Sequence, residues 1–264
     1  MTLFEITGLF GVAVFAACFD AIAGGGGLVT VPALLLAGLD PVSAIATNKL
    51  QAAAGTVSSA VAFSRRGLVD WGLAAPIMTA AVAGSIAGAL SVSVLPASVL
   101  NALVPLLLIT IALYFANSGR RGNSEIHARI TPFLFAFSVV PLIGFYDGVF
   151  GPGAGSFYTA GFMGLLGCSI LKATAHTKLA NAASNLGSLA LFALKGTVVL
   201  QVGLVMAVGA ILGAQIGSAL AVRFGSRLVR PLLVSISLIM AVRLLSMPDN
   251  PIRLMIGSVF MKSW

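Results

Sequence analysis

The chain has 264 residues, 59% of them hydrophobic and only 8% charged, with a mean hydropathy of +1.07. A soluble domain carries about 25% charged residues, so a water-soluble surface is excluded and lipid must be the main solvent. The net charge of +8 would suggest nucleic acid on a soluble protein. Here Arg65, Arg66, Arg120, Arg121, Arg129, Arg223, Arg227 and Arg230 gather in short loops between apolar runs, where membrane topology accounts for them, and no nucleic-acid partner is expected.

The first apolar run, residues 6–19, has no Lys or Arg before it, unlike a secretory signal. The faint lipoprotein-like run Phe15-Ala16-Ala17-Cys18 therefore carries no weight, and the segment is taken as part of the fold. It ends at Asp20 and runs into Gly24-Gly25-Gly26-Gly27. A short apolar piece follows (28–36), about 15 Å of helix and so half a bilayer. After the turn Gly38-Leu39-Asp40-Pro41 come a long run (42–63) bearing Thr47, Asn48, Lys49 and Gln51, and a third (73–95) with Gly84 and Gly88. A fourth (99–115) precedes the polar stretch 117–127. The same order then recurs. Run 132–145 leads to Asp147 and to Gly151-Pro152-Gly153-Ala154-Gly155. A short piece (156–166) and a turn at 167–169 follow. A long segment then carries Thr174, His176, Lys178, Asn181 and Asn185 and ends in the apolar run 186–194. Runs 198–222, with Gly213 and Gly217, and 228–245 complete the series. Several runs reach the roughly 20 residues that a spanning helix needs, and none alternates as a lipid-facing strand would.

The recurrence has a register. Asp20 and Asp147 lie 127 positions apart; Lys49 and Lys178, Phe63 and Phe192, Gly67 and Gly196, Gly84 and Gly213, and Gly88 and Gly217 lie 129 apart. The expectation is an all-α polytopic membrane protein of two homologous repeats. Each has about four spanning helices and a short re-entrant or broken segment. The repeats cover 1–118 and 129–247, with a polar linker at 119–128 and a C-terminal tail at 248–264. Loop charge slightly favours inverted over parallel repeats.

Chemistry can sit in few places. Glycine admits positive φ and close backbone approach, and non-helical backbone at membrane depth survives only inside protein or beside a water-filled cavity. The helices restarting after Gly24, Gly25, Gly26 and Gly27 and after Gly151, Gly153 and Gly155 direct N–H groups and dipoles that favour an anion; a packing kink is the alternative. A buried Lys costs roughly 2.5–3.5 kcal/mol on insertion scales, so Lys49 and Lys178, among Thr47, Asn48, Gln51, Thr174, His176, Asn181 and Asn185, form a candidate oxyanion site; snorkelling to the interface is the alternative. Asp20 and Asp147 are candidates for a coupling proton or, in preference, for capping the freed N–H groups. Gly84, Gly88, Gly213 and Gly217 have the spacing of close helix packing. Cys18 and Cys168 lack metal-ligand spacing and are assigned to packing. No metal, cofactor, nucleotide site or nucleophile–base pair is expected, so the chain is not expected to be an enzyme.

The motifs from Asp20 to Pro32, Gly38 to Pro41, and Ala46-Thr47-Asn48 resemble the first half of the TauE/SafE sulfite-exporter family. Asp147 to Gly155, through Thr174 and Asn181, resembles its second signature. The resemblance spans nearly the whole chain. It implies a secondary carrier in the bacterial inner membrane, moving sulfite, sulfonates or related anions in a direction it does not fix. The roles of Lys49 and Lys178 rest on the residue argument alone. Partners are then a small anionic substrate and the bilayer, with a homodimer compatible with the sequence; an anion channel or a non-transport assembly factor is the alternative.

Overall fold

A computed structural model describes residues 3–91, 109, 113 and 127–246. All of the apolar run 99–115 but residues 109 and 113, nearly all of the linker, and the C-terminal tail lie outside the described residues. The rest is helical: α1 (Leu3–Ala23), α2 (Gly27–Leu36), α3 (Pro41–Ser64), α4 (Trp71–Ser91), α5 (Pro132–Val149), α6 (Ala154–Gly164), α7 (Ile170–Leu194), α8 (Leu200–Phe224) and α9 (Ser226–Ser246). No strand occurs among the described residues, as the fold class requires.

Local chemistry sets the helix ends. Asp40 caps α3, accepting the Val42 and Ser43 N–H groups at 3.1 Å, with Pro41 at the first helical position. Thr131 caps α5 in the same way before Pro132. Farther along α5, Phe135–Val139 forms a π-helical turn ahead of Pro141, whose missing N–H would break a regular α ladder.

α1, α4, α5 and α8 are long and apolar enough to cross a membrane. They expose Phe15, Leu90, Leu142, Leu204, Val208 and Ile216, as a lipid-facing surface should. α3 and α7 are as long but carry the polar residues, nearly all buried. Wrapped by the apolar helices, they form the centre of the bundle.

Glycine sets how closely the helices approach. On α8, Gly213 and Gly217 lie against the Val14 and Cys18 carbonyls of α1. On α4, Gly84 and Gly88 lie against the Pro141 and Phe145 carbonyls of α5. Both contacts keep the sequence register, 129 positions between the glycines and 127 between their partners. The first helix of each half thus packs on the fourth helix of the other.

These contacts also fix direction. Sequence number rises together on both helices in α1·α8 and α4·α5. It does so too in α3·α8, where Leu50 meets Gly203 and Ser58 meets Ile211, and in α4·α7, where Ala74 clusters with Leu179 and Ala89 with Phe192. α3 and α7 run oppositely, Ala60 sharing a cluster with Leu179 and Ala46 with Phe192. Hence α1, α3 and α8 point one way and α4, α5 and α7 the other.

A side chain at Gly84 or Gly213 has to displace backbone. Gly84→Val and Gly213→Val are expected to cost at least the 1–3 kcal/mol typical of overpacking and to lower the unfolding midpoint in detergent. Gly8→Ala, where a Cβ meets nothing within 4 Å, is the control that leaves it in place.

Candidate functional site

The two glycine breaks meet at the centre. Gly24 and Gly25 (φ +76° and +107°) and Gly151 and Gly153 (φ +92° and +88°) hold left-handed backbone, which costs L residues with a Cβ 1–2 kcal/mol or so. Gly24 crosses Gly155 so closely that a Cβ on either would lie within 2.9 Å of the other's backbone. Gly24 is thus required twice, for conformation and for contact.

Hydrogen bonds around the breaks follow the repeat register. Thr30 of α2 donates to the Gly26 carbonyl, and its hydroxyl bonds the Asn48 side chain of α3. Thr159 of α6 donates to the Gly155 carbonyl, and its hydroxyl lies 3.1 Å from that of Thr177 on α7. At the opposite ends, the Thr47 hydroxyl accepts the Val199 N–H at 3.0 Å, and His176 Nε2 accepts the Asp70 N–H at 3.1 Å. All of these partners correspond at 129 positions.

The two lysines obey the same rule. Lys49 of α3 donates to the backbone carbonyl of Asp147 at 2.5 Å and to its Oδ1 at 2.9 Å. Lys178 of α7 donates to the Asp20 carbonyl and to its Oδ2, the latter at 3.0 Å. Each lysine is buried, and each finds its acid in the other half of the chain. Neither snorkels. The two carboxylates differ beyond that. Asp20 Oδ1 accepts the N–H groups of Gly25 and Gly26, both at 3.0 Å, which is capping of the break. Asp147 Oδ2 instead accepts the Ser184 hydroxyl. At the 127-position offset of the two aspartates, Gly25 is matched by Pro152, which has no N–H to give.

A narrow polar cleft of about 30 Å³ lies where the breaks cross. Of the residues singled out from sequence it brings together Gly25, Gly26, Gly27, Asn48, Lys49, Gln51, Gly151, Gly153, Gly155, Asn181 and Asn185, with Asp20 and Asp147. The first turns of α2 and α6 contribute to its wall. Thr47, Thr174, His176, Gly24 and Lys178 are buried elsewhere. Thr174 bonds back to the Ile170 carbonyl. His176 joins α7 to the segment before α4, its Nδ1 placed on the Lys172 carbonyl at 2.9 Å. Lys178 is sealed against Asp20 and does not line the cleft. Residue-type reasoning passed over Thr30 and Thr159; the 129-position register held the signal, since both sit four residues after matched glycines. Among the described residues no group of His, Cys, Asp and Glu could hold a metal.

Each pair is a buried charge and its counter-charge, and removal of one partner strands the other. Asp20→Asn is expected to destabilise the fold by about 3–5 kcal/mol, and the double variant Asp20→Asn/Lys178→Met to recover most of that loss. Unfolding midpoints of the single and double variants in detergent measure the recovery.

A family model described as Sulfite exporter TauE/SafE matches residues 9–244. A Sinorhizobium protein named "Probable membrane transporter protein ORF9" is 47% identical over 249 residues, 94% of this chain and 95% of that relative. "Probable membrane transporter protein YfcA" of Escherichia coli K12 is 46% identical over 237 residues, 90% of this chain and 88% of the relative. A Haemophilus influenzae "Probable membrane transporter protein" is 40% identical over 236 residues, 89% and 92% respectively. No solved structure matches.

Proposed function

The chain belongs to the sulfite exporter TauE/SafE family and is a multi-pass membrane transporter, not an enzyme; from that premise we propose that it carries small sulfur-containing oxyanions, sulfite or sulfonates such as sulfoacetate, by alternating access coupled to an ion gradient. The observation that carries the proposal is the cleft at the crossing of the two glycine breaks. Anion-favouring helix starts, the amides of Asn48, Gln51, Asn181 and Asn185, and the Lys49 ammonium converge there. Planar amides supply N–H donors to several oxygens of one oxyanion. A helix start adds partial positive charge in a place that lipid and protein shield from water.

The repeat reading is part of the proposal. Residues 1–118 and 129–247 are two copies of one unit, and the opposed directions of α1 and α5 and of α3 and α7 support an inverted relation between them. Substrate sites in inverted-repeat carriers lie at the repeat interface near midplane, beside discontinuous helices. The cleft fits that position, drawing on α1, α3, α5, α6 and α7 together. Rocking of one half on the other would expose it to either side in turn.

Proteoliposomes test the proposal. Radiolabelled sulfite or sulfoacetate is expected to exchange against the same unlabelled anion trapped inside, and Lys49→Met to reduce that counterflow at least tenfold. Flux without counterflow would indicate a channel. An absence of flux and of any ligand-induced thermal shift, across sulfite, sulfoacetate, taurine, thiosulfate and sulfate, would end the anion assignment.

A further inference from the structure

Among the buried charges, one pair differs from the other in a way that bears on coupling. Lys49 and Asp147 both line the cleft, whereas only the acid of the Lys178–Asp20 pair does. Asp20 is held at both oxygens, by two backbone N–H groups and by Lys178. Among the described residues no backbone N–H donates to the Asp147 carboxylate; its donors are the Lys49 ammonium and the Ser184 hydroxyl. A hydroxyl both donates and accepts. Ser184 can therefore turn from giving its proton toward Oδ2 to accepting one from a protonated Oδ2. The ammonium has no such second role, and neither do the N–H groups that hold Asp20.

The charged and titratable groups facing Asp147 are few. They are Lys49 on α3 and, across the cleft, Asp20 on α1; the phenol of Tyr146, next in sequence, and that of Tyr158 on α6 lie within its electrostatic reach. From α7 come Ser184 and the neutral Asn181 and Asn185, and α2, α4 and α6 contain no Asp, Glu, Lys or Arg. The cleft charges Lys49 and Asp147 thus cancel, and Asp20 is compensated by Lys178 behind it. An arriving monoanion adds one uncompensated negative charge at membrane depth, where such a charge is costly. It also has to compete with Asp147 for the same ammonium.

Resting on the anion-carrier function proposed above, we propose that Asp147 is the proton-operated counter-ion of the site: a proton binds at Asp147 Oδ2, the neutral carboxyl donates to Ser184, and Lys49 exchanges its carboxylate partner for the substrate anion. One proton enters with one monoanion, and the net charge of the cleft does not change. Asp20 takes no part in the exchange; it holds Lys178 and the first glycine break in place. The scheme leaves the direction of transport to the gradients.

The test uses methanesulfonate, whose charge is constant through the range examined. Its affinity for the detergent-solubilised wild type is measured by thermal shift between pH 5 and pH 9. One linked proton makes the affinity fall about tenfold per pH unit on the upper limb. Asp147→Asn is expected to abolish that slope and to hold the affinity near the wild-type acid value at every pH. An unchanged slope in Asp147→Asn overturns the proposal. If methanesulfonate binds at no pH, the anion site itself is in error, and infrared spectroscopy decides the protonation step separately. A protonated-carboxyl band that grows as pH falls and is missing from Asp147→Asn supports it; a titration with no Asp147-dependent band overturns it. Should Asp147→Asn fail to fold, Ser184→Ala serves in its place. It strips one donor from the carboxylate, so the infrared midpoint is expected to move to higher pH, and an unmoved midpoint overturns the assignment.

Discussion

A charge cannot stand alone at membrane depth, and that constraint organises this protein. The central helices α3 and α7 each carry one deeply buried lysine. Each lysine is answered by an aspartate from the opposite half, beside the glycine break that ends the first helix of that half. Pairing across the halves, rather than within them, has a mechanical consequence. In the folded protein each half's buried lysine is compensated by the other half's aspartate, so the two ion pairs tie the halves together. A buried pair replaced by apolar residues of similar volume is often no less stable. The pairs are therefore better explained by where they hold the broken helices than by any gain in stability.

Glycine is the other half of the same solution. Lipid provides no hydrophobic force between helices, so association depends on close packing and on internal polar contacts. Gly84, Gly88, Gly213 and Gly217 bring α4 onto α5 and α8 onto α1 at backbone distance. Four long apolar helices thereby form a wall around α3 and α7. The wall allows the central helices to be polar, and the polar central helices make a site available. Composition, packing and site chemistry are consecutive consequences of lipid as solvent.

Much of this was legible in the sequence, because the same physics writes it there. Low charge and long apolar runs give the membrane class. Glycine runs inside apolar segments give the breaks. The 127- and 129-position registers gave the correspondence that reappears at Thr30 and Thr159, at Thr47 and His176, and at both ion pairs. The partner of each lysine was not legible. Lys49 has an acid 29 residues before it and another 98 residues after it, and a requirement for compensation does not say which is chosen. Only the packing of α3 against the far half decides it. The sealing of Lys178 away from the cleft was equally hidden. Residue type and register treat the two lysines alike, and only the packing around the two breaks separates them.

That difference separates two kinds of asymmetry. In an inverted-repeat carrier the halves adopt two conformations and exchange them as the site changes sides. A contact made by one half alone can therefore be a property of the state, to be made by the other half in the opposite state. Under the proposed alternating access, the opening of the cleft toward Lys49 and the burial of Lys178 are of this kind. The missing N–H at Pro152 is not, because it is covalent. Nor is the hydroxyl of Ser184, whose counterpart at 129 positions is Gly55. In the exchange proposed above, Asp20 can draw on an N–H at Gly25 that Pro152 cannot offer, and Asp147 on a hydroxyl at Ser184 that Gly55 cannot. A cycle that uses one proton per turnover needs one carboxylate that can change its partner and a scaffold that does not. In the proposed cycle the two halves, nearly alike in register, divide those roles at Pro152 and Ser184.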